Sequence, residues 1–160
     1  MGTTVHIRRY REGEEPVLFE IYYSAIHLVA CRNYSPEQLH AWAPRDVDPE
    51  LWRSRIRGIN PFVAERAGRI VGYADLQPNG YIDHFFVSGT HPREGIGSHL
   101  MRHLLDQAQA LGIFELTSDV GRTAQPFFEA FGFSVVDQRY PELRGVVVPN
   151  ARMRRTRNET

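Results

Sequence analysis

The chain passes from strand to helix at Phe85-Phe86-Val87-Ser88-Gly89-Thr90-His91-Pro92-Arg93-Glu94-Gly95-Ile96-Gly97-Ser98-His99-Leu100. An apolar strand runs there through a glycine-bearing turn into a helix. Gly95 and Gly97 have no Cβ, so the backbone can approach a ligand closely. The first N–H groups of the helix have no partner within it and carry roughly half a positive charge. The stretch therefore predicts an anion site, most naturally one for phosphate.

Two other phosphate-binding motifs do not fit this stretch. A nucleoside-triphosphatase loop needs a lysine directly after its last glycine, and no lysine follows Gly95. A dinucleotide-binding fingerprint needs a third glycine where Leu100 stands. Both classes are therefore disfavoured.

The loop instead resembles the acetyl-CoA pyrophosphate loop of the GNAT superfamily of N-acetyltransferases. That family's signature is Gln/Arg-x-x-Gly-x-Gly/Ala after a strand that ends in valine, and the frame here reads Pro92-Arg93-Glu94-Gly95-Ile96-Gly97. Pro92 departs from the usual first position, which removes one side-chain contact and one N–H. Arg93, next to it, is placed to supply the missing charge.

A second landmark further along the chain carries the same resemblance. The segment Ala124-Gln125-Pro126-Phe127-Phe128-Glu129-Ala130-Phe131-Gly132-Phe133 is similar to the family's Ala-x-x-Phe-Tyr-x-x-x-Gly-Phe helix and the strand after it. Together with a preceding hairpin, the resemblance covers the chain from about Val5 to Arg155. The string Gln38-Leu39-His40-Ala41-Trp42-Ala43-Pro44 also looks like one bacterial branch of the family, whose acceptors are poorly defined.

The order of predicted elements agrees with the GNAT fold. The predicted strands span residues 5–9, 62–66, 70–74, 81–87, 114–118, 133–140 and 146–148, and the predicted helices span 16–30, 36–42, 49–57, 95–111 and 123–131. The expected class is α/β (α+β), with a mixed, mostly antiparallel central sheet of about six to seven strands and helices on both faces. We expect one domain over residues 5–155 and a C-terminal tail over 156–160.

Composition favours a single domain and disfavours some partners. The chain of 160 residues is long enough for one core. Nineteen basic and nineteen acidic residues leave no net charge, so this balance points neither to nucleic acid nor to an anionic membrane. Arginines cluster near the C-terminus, where a solvated tail is the ordinary interpretation and specific anion binding the alternative. They are Arg152, Arg154, Arg155 and Arg157.

The single cysteine, Cys31, excludes an internal disulfide and fits a reducing cytosol. It lies near the end of an apolar helical run, which predicts a buried, inert thiol. No stretch reaches the ~18 apolar residues that a membrane span needs, and no apolar leader opens the chain. We therefore expect a cytoplasmic protein without a membrane partner, and a homodimer stays open.

The resemblance implies acetyl-CoA as the cosubstrate and no metal. In the family, two neighbouring strands of the sheet diverge, and the pantetheine arm lies in the gap like an extra strand. Backbone groups of Phe86, Val87 and Ser88 would bind that arm. The pyrophosphate would rest on six backbone amides, with the Arg93 guanidinium as its side-chain partner. Those amides belong to Arg93, Glu94, Gly95, Ile96, Gly97 and Ser98, and the Glu94 side chain is expected to face solvent or the helix end.

The resemblance assigns the proton-transfer residues only in part. The family's usual acid is the tyrosine of the Phe-Tyr pair, where this chain has Phe128, so the hydroxyl is missing although the ring can still pack against the cofactor. Water and Tyr140 are both left as substitutes. For the base, Asp83 is the first candidate, because GNAT enzymes often place a carboxylate on this strand; an aspartate hydrogen-bonded across the sheet is the alternative. His84, on the opposite face, titrates near neutrality and is the second candidate, although a lone strand histidine is more often structural.

The resemblance also implies that the first helical region forms the acceptor end of the site, because this region arches over the acceptor mouth in the GNAT fold. We expect His27, Tyr34 and Trp42 to contact substrate there, with simple packing of Trp42 as the alternative. An acidic groove for a protein or peptide amine would come from four carboxylates near the mouth, those of Glu37, Asp46, Asp48 and Glu50. The sequence thus predicts an N-acetyltransferase for a small-molecule or peptide amine. The alternative is a non-catalytic acyl-CoA sensor, which the missing hydroxyl at Phe128 also fits.

Overall fold

The computed structural model describes residues 4–91 and 94–157, which form five α-helices and ten strands. The helices are α1 (Glu15–Leu28), α2 (Pro36–Trp42), α3 (Pro49–Ile59), α4 (Ile96–Ala110) and α5 (Gln125–Ala130). The strands are β1 (Val5–Arg9), β2 (Phe62–Arg66), β3 (Arg69–Ala74), β4 (Tyr81–Ile82), β5 (Phe85–Val87), β6 (Glu115–Gly121), β7 (Ser134–Arg139), β8 (Glu142–Leu143), β9 (Val146–Val147) and β10 (Asn150–Thr156).

Two four-stranded sheets form the centre of the fold. The first has the order β1-β2-β3-β5 and is antiparallel. The second has the order β4-β6-β10-β7, in which the β4–β6 pair is parallel and the other pairs are antiparallel. The predicted mixed, mostly antiparallel architecture is confirmed. If residues 81–87 are counted as the single strand that the sequence predicts, the two sheets hold seven strands.

Each face of the first sheet has its own hydrophobic core. On β2, Ala64 packs into the core that contains Leu100 of α4, whereas Val63 packs into the core that contains Leu18 and Ile26 of α1. Successive residues of a strand point to opposite faces, so a sheet covered on both sides buries both sets. The prediction of helices on both faces is therefore confirmed.

The predicted strand over residues 81–87 is interrupted, and the interruption opens the centre of the molecule. Tyr81–Ile82 pair with β6 of the second sheet, whereas Phe85–Val87 pair with β3 of the first. Asp83 and His84 form a step between the two strands. Beyond this step β5 and β6 are not paired with each other, which leaves a wedge between them.

The C-terminus also differs from the prediction. Val146–Val147 form only a short hairpin strand with Glu142–Leu143, and the last long strand is β10. β10 lies between β6 and β7, so it is an interior strand of its sheet. The expectation of a solvated arginine tail is wrong for Arg152, whose guanidinium binds Asp119, and for Arg155, whose Nε donates to the Phe131 carbonyl. The pattern misled because alternating arginines on a half-buried strand resemble a charge run.

Cys31 is exposed in a short 3₁₀ turn after α1, so the prediction of a buried thiol is wrong; the helical run ends at Leu28, before the cysteine. Among residues 4–91 and 94–157, no helix combines the length and the apolar character that crossing a membrane demands.

Candidate functional site

A cleft of ≈ 480 Å³ occupies the wedge between β5 and β6. Its walls come from β5 with the turn that follows, the second half of β6, the N-terminus of α4, and the start of α5. The last turns of α1, the segment leading to α2, Trp42 at the end of α2 and Asp83 complete the lining. A cleft of this volume, lined largely by apolar side chains with a few polar groups, is the usual form of a small-molecule site.

One wall is the edge of a strand. β5 hydrogen-bonds to β3 along one edge, where Gly72 lies opposite Val87 and the Ser88 N–H donates to the Val71 carbonyl at 2.8 Å. The other edge has no strand beside it among the described residues, and Phe86, Val87 and Ser88 line the cleft there. Backbone groups of an unpaired edge offer a ligand the hydrogen bonds that a further strand would make.

The N-terminus of α4 forms one end of the cleft. Gly95 precedes the helix with φ +76°, a left-handed conformation that glycine adopts without strain, and no side chain caps the first turn. Glu94, Gly95, Ile96, Gly97 and Ser98 all line the cleft. The structure thus places five of the six predicted residues beside an uncapped helix N-terminus, where anions bind favourably. Arg93 lies outside the described residues.

Gly97 and Glu94 serve purposes that the sequence did not indicate. A Cβ on Gly97 would lie 3.2 Å from Phe127 Cζ, so the absent side chain lets the first turn of α4 approach the Phe127 ring. Glu94 forms an ion pair with Arg66 at the end of β2. Glu94 is exposed, as expected, and the ion pair also ties the loop before α4 to the first sheet.

Phe128 lines the cleft as a buried aromatic wall. Its ring lies 5.5 Å from that of Phe85 and 5.1 Å from that of Phe133, both in edge-on contact. Its position against the wedge agrees with the expected packing role, and it offers no hydroxyl. Tyr140 does not line the cleft and is 66% exposed, so it does not replace the missing hydroxyl.

The two candidate bases have opposite surroundings. Asp83 is half-buried and lines the cleft. His84 is not part of the lining; it is buried in an aromatic cluster, and its Nδ1 shares a 2.9 Å hydrogen bond with the Tyr73 hydroxyl. Burial lowers the pKa of His84 to about 3, so the ring is neutral at pH 7. These are the surroundings of a structural histidine, and of the two only Asp83 faces the cleft.

A carboxylate that sequence reasoning missed also lines the cleft. Asp119 on β6 receives two hydrogen bonds from Arg152, at 2.9 and 3.0 Å, and one from the Tyr81 hydroxyl at 3.3 Å. Burial by itself would raise the pKa of Asp119, but the bonds and charge of Arg152, with Arg139 nearby, bring it below its ordinary value. Burial raises the pKa of Tyr81 to about 12, and the Asp119 charge adds to that shift. Asp119 is therefore an ionised carboxylate paired with Arg152. The sequence does not indicate this pair, because Arg152 is expected there in a solvated tail.

The predicted acceptor residues separate in the structure. Tyr34 and Trp42 line the cleft with their rings 5.5 Å apart. The Tyr34 hydroxyl accepts the Arg122 N–H at 2.9 Å and donates to the Pro149 carbonyl, which fixes the ring. His27 does not line the cleft, because its Nε2–H donates to the Ala43 carbonyl at 2.8 Å.

The four carboxylates that an acidic acceptor groove would use lie outside the lining of the cleft. Two of them stabilise α3: Asp48 accepts the N–H of Glu50 at 2.9 Å, and Glu50 pairs with Arg53. Searching residues 4–91 and 94–157 for three or more His, Cys, Asp or Glu side chains able to hold a metal ion finds none.

Comparison with known sequences places the chain among described acetyltransferases. The family model described as an acetyltransferase (GNAT) domain matches residues 30–153. An uncharacterized N-acetyltransferase of Escherichia coli (strain K12), YafP, is 34% identical over 150 residues, which cover 94% of this chain and 95% of that protein.

Solved structures share the architecture. A GCN5-related N-acetyltransferase from Rhodopseudomonas palustris matches with a TM-score of 0.91 at 26% identity, over 98% of this chain and 99% of that one. PaiA N-acetyltransferase from Thermoplasma acidophilum, in complex with coenzyme A, matches with a TM-score of 0.73 at 16% identity, over 96% and 99% of the two chains. YncA from Salmonella typhimurium, with its cofactor acetyl-CoA, matches with a TM-score of 0.69 at 19% identity, over 98% and 96%. The last two comparisons concern the fold alone.

Proposed function

Since the chain belongs to the GNAT acetyltransferase family, we propose that it transfers the acetyl group of acetyl-CoA directly to the primary amine of an acceptor. One observation carries the proposal: the unpaired edge of β5 faces a cleft that ends at the uncapped N-terminus of α4. A strand edge suits the amides of a pantetheine arm, and a helix N-terminus suits a pyrophosphate. Proteins of the same fold hold coenzyme A or acetyl-CoA, which supports the same carrier here.

The cofactor is held mainly by backbone groups in this proposal. The pyrophosphate rests on the amides of residues 95–98, and the pantetheine arm runs beside Phe86, Val87 and Ser88. Phe128 and Phe85 pack against the arm and keep water from the thioester. Because main-chain groups make these contacts, few side chains in the cleft need to be charged.

The reaction is a single displacement at the thioester carbon. The amine nitrogen attacks that carbon, a C–N bond forms, and the C–S bond breaks as the thiolate of coenzyme A leaves. An N–H of the β5 segment stabilises the oxyanion of the tetrahedral intermediate. Asp83 accepts the proton that the amine gives up, directly or through a water molecule.

The leaving thiolate takes its proton from water, since Phe128 has none to give. A thiol of ordinary pKa, roughly 8.5, is a much better leaving group than an alcohol, so the thiolate departs without an acid beside it. The absent tyrosine hydroxyl is then a loss of rate rather than of activity.

The acceptor binds against the part of the cleft wall that includes Tyr34, Trp42 and Asp119. Two fixed aromatic rings and a carboxylate already paired with Arg152 favour a flat or apolar amine over a densely charged one. A small-molecule amine fits this wall, and the absence of the four exposed acids from the lining weakens the case for a basic peptide.

A non-catalytic acyl-CoA sensor is the second candidate, and Phe128 is the observation that favours it. The two functions separate on turnover. We expect release of free thiol when acetyl-CoA is mixed with the protein and a panel of aromatic, aliphatic and peptide amines. Binding of acetyl-CoA without thiol release from any amine would support the sensor.

Direct attack is tested in the same samples by mass spectrometry of the intact protein, which would detect an acetyl group bound to the enzyme. The exposed Cys31 is the one cysteine of the chain, so Cys31→Ser removes the thiol that an acetyl-enzyme would use. We expect Cys31→Ser to turn over like the wild type, and no stable acetyl adduct on the wild type when the amine is left out. A loss of turnover in Cys31→Ser would contradict direct attack.

A further inference from the structure

Asp75 is a fully buried aspartate directly after β3 that takes no part in the chemistry above. Its Oδ1 accepts the backbone N–H of Asp83 at 2.9 Å and that of His84 at 2.7 Å. Its Oδ2 accepts from the Gln77 side-chain amide at 2.6 Å. In the other direction, the Asp75 N–H donates to the His84 carbonyl at 3.1 Å. One residue thus holds both members of the step between β4 and β5.

The backbone N–H groups of the step between β4 and β5 need a hydrogen-bond acceptor from outside the strand ladders. At Ile82 the chain pairs with β6, and at Phe85 it pairs with β3, so the N–H groups between them belong to neither ladder. A buried N–H without an acceptor is strongly unfavourable. The Asp75 carboxylate supplies the acceptor that a neighbouring strand would otherwise provide, and it does so for two successive residues.

The choice of a carboxylate is informative, because burying one is unfavourable. A neutral side chain would satisfy the same donors with a smaller desolvation penalty. Hydrogen bonds to an ionised acceptor are shorter and stronger than neutral ones, so the two amides are held firmly. The position also matters: the bonded amides are those of Asp83, which lines the cleft, and of His84, which anchors the core.

We propose that Asp75 is a positioning residue for acetyl transfer, which fixes the divergence of β5 from β6 and the place of the Asp83 carboxylate in the cleft. The kinetic part of this inference rests on the proposed function. When Asp75 is lost, the step between β4 and β5 relaxes, and both the pantetheine wall and the base move.

Tyr73 offers a matched control, because it supports the same step through a side chain. It is fully buried and its hydroxyl bonds His84 Nδ1 at 2.9 Å. Tyr73→Phe therefore removes a buried hydrogen bond next to the step while both backbone amides keep their acceptor.

The kinetic test compares Asp75→Ala, Asp75→Asn and Tyr73→Phe. Losing two charge-assisted hydrogen bonds should lower both kcat and the affinity for acetyl-CoA by about 10-fold or more in Asp75→Ala. Asp75→Asn keeps an oxygen acceptor and should recover most of that loss. Tyr73→Phe should lower the melting temperature with kcat and affinity within about 3-fold of the wild type.

A folded Asp75→Ala whose kcat and acetyl-CoA affinity match the wild type would overturn the proposal and leave Asp75 a purely structural residue. If Asp75→Ala does not fold, Asp75→Ser gives the same test, because its shorter side chain cannot reach both amides.

Amide proton shifts test the hydrogen bonds without any reaction. In Asp75→Asn a neutral acceptor replaces a charged one, so the Asp83 and His84 amide protons should both move upfield, and by more than in Tyr73→Phe. Unchanged shifts would overturn the inference. If the wild type neither binds acetyl-CoA nor releases thiol, the proposed function fails, while these shifts still decide whether Asp75 holds the step.

Discussion

Asp83 and His84 are adjacent, and their surroundings assign them different tasks. Intrinsic pKa alone favours histidine as a base near neutrality. The step between β4 and β5 turns His84 into an aromatic core, where burial makes it a very weak base, and turns Asp83 into the cleft. The sequence predicts that the two residues lie on opposite faces, but not which face opens onto ligand, because that depends on where the strand changes sheets.

The role of Asp83 is tested by Asp83→Asn. Loss of a general base should lower kcat by at least about 100-fold near pH 7, and acetyl-CoA affinity should not change, since the amide is isosteric. Asp106→Asn, an exposed carboxylate on α4, is the matched control and should turn over normally. Undiminished turnover in Asp83→Asn would remove Asp83 as the base.

Asp75 should leave a signature in the pH dependence of stability. Burial raises the pKa of Asp75 from 3.8 to about 6, against hydrogen bonds from the His84 amide and Gln77 that act to lower it. The folded state therefore holds this proton more tightly than the unfolded chain. The contribution to stability is greatest below about pH 4 and falls as pH rises to about 6, by up to about 3 kcal/mol.

The measurement is the melting temperature of Asp75→Asn minus that of the wild type, from pH 4 to pH 7. The difference should increase with pH, because only the wild type loses stability from residue 75. A difference that is flat or falls with pH would contradict the raised pKa.

At the scale of elements, the helices whose starts are marked by neighbouring residues are predicted well. Ser35 and Gln38 form the reciprocal cap that starts α2, with Pro36 at its first position, and the glycines at 95 and 97 begin α4. The prediction of strands fails where the pairing between strands determines the structure. Residues 81–87 are predicted as one strand yet serve two sheets, and residues 150–156 lack a run of apolar residues yet form an interior strand.

The phosphate-binding role of the α4 N-terminus is tested by Gly97→Trp. An indole at this position meets Phe127 and fills the end of the cleft, so acetyl-CoA affinity should fall at least about 100-fold. Gly58→Trp on α3, where the space beyond the glycine is open, is the control for adding a tryptophan and should bind normally. Equal affinities of the two variants for acetyl-CoA would contradict the assignment of this loop as the pyrophosphate site.

The interior position of β10 is tested by two adjacent substitutions. Met153 is 0% exposed, whereas Arg154 next to it is exposed. Met153→Ala should lower the free energy of unfolding by about 2–5 kcal/mol because it leaves a cavity, and Arg154→Ala by less than about 0.5 kcal/mol. Denaturant unfolding measures both values. Similar small effects would return this segment to the solvated tail that its arginines indicate.

At the scale of the whole molecule, the cofactor end of the site is more predictable than the acceptor end. The cofactor end uses backbone amides of one continuous stretch, and a stretch shows its glycines directly. The acceptor end is assembled from distant segments: Asp119 meets Arg152 across two strands, and Tyr34 meets Pro149. Asp75 holds Asp83 through a side chain that no local pattern marks. Such pairs depend on strand order, which a single sequence does not show.

We propose that the wedge between β5 and β6 holds acetyl-CoA, with its pyrophosphate on the α4 N-terminus. Calorimetric titration of the purified protein with acetyl-CoA tests this binding most directly. We expect one site per chain with a dissociation constant in the micromolar range, and loss of that binding in Gly97→Trp but not in Gly58→Trp. No binding by the wild type, or undiminished binding by Gly97→Trp, would contradict it.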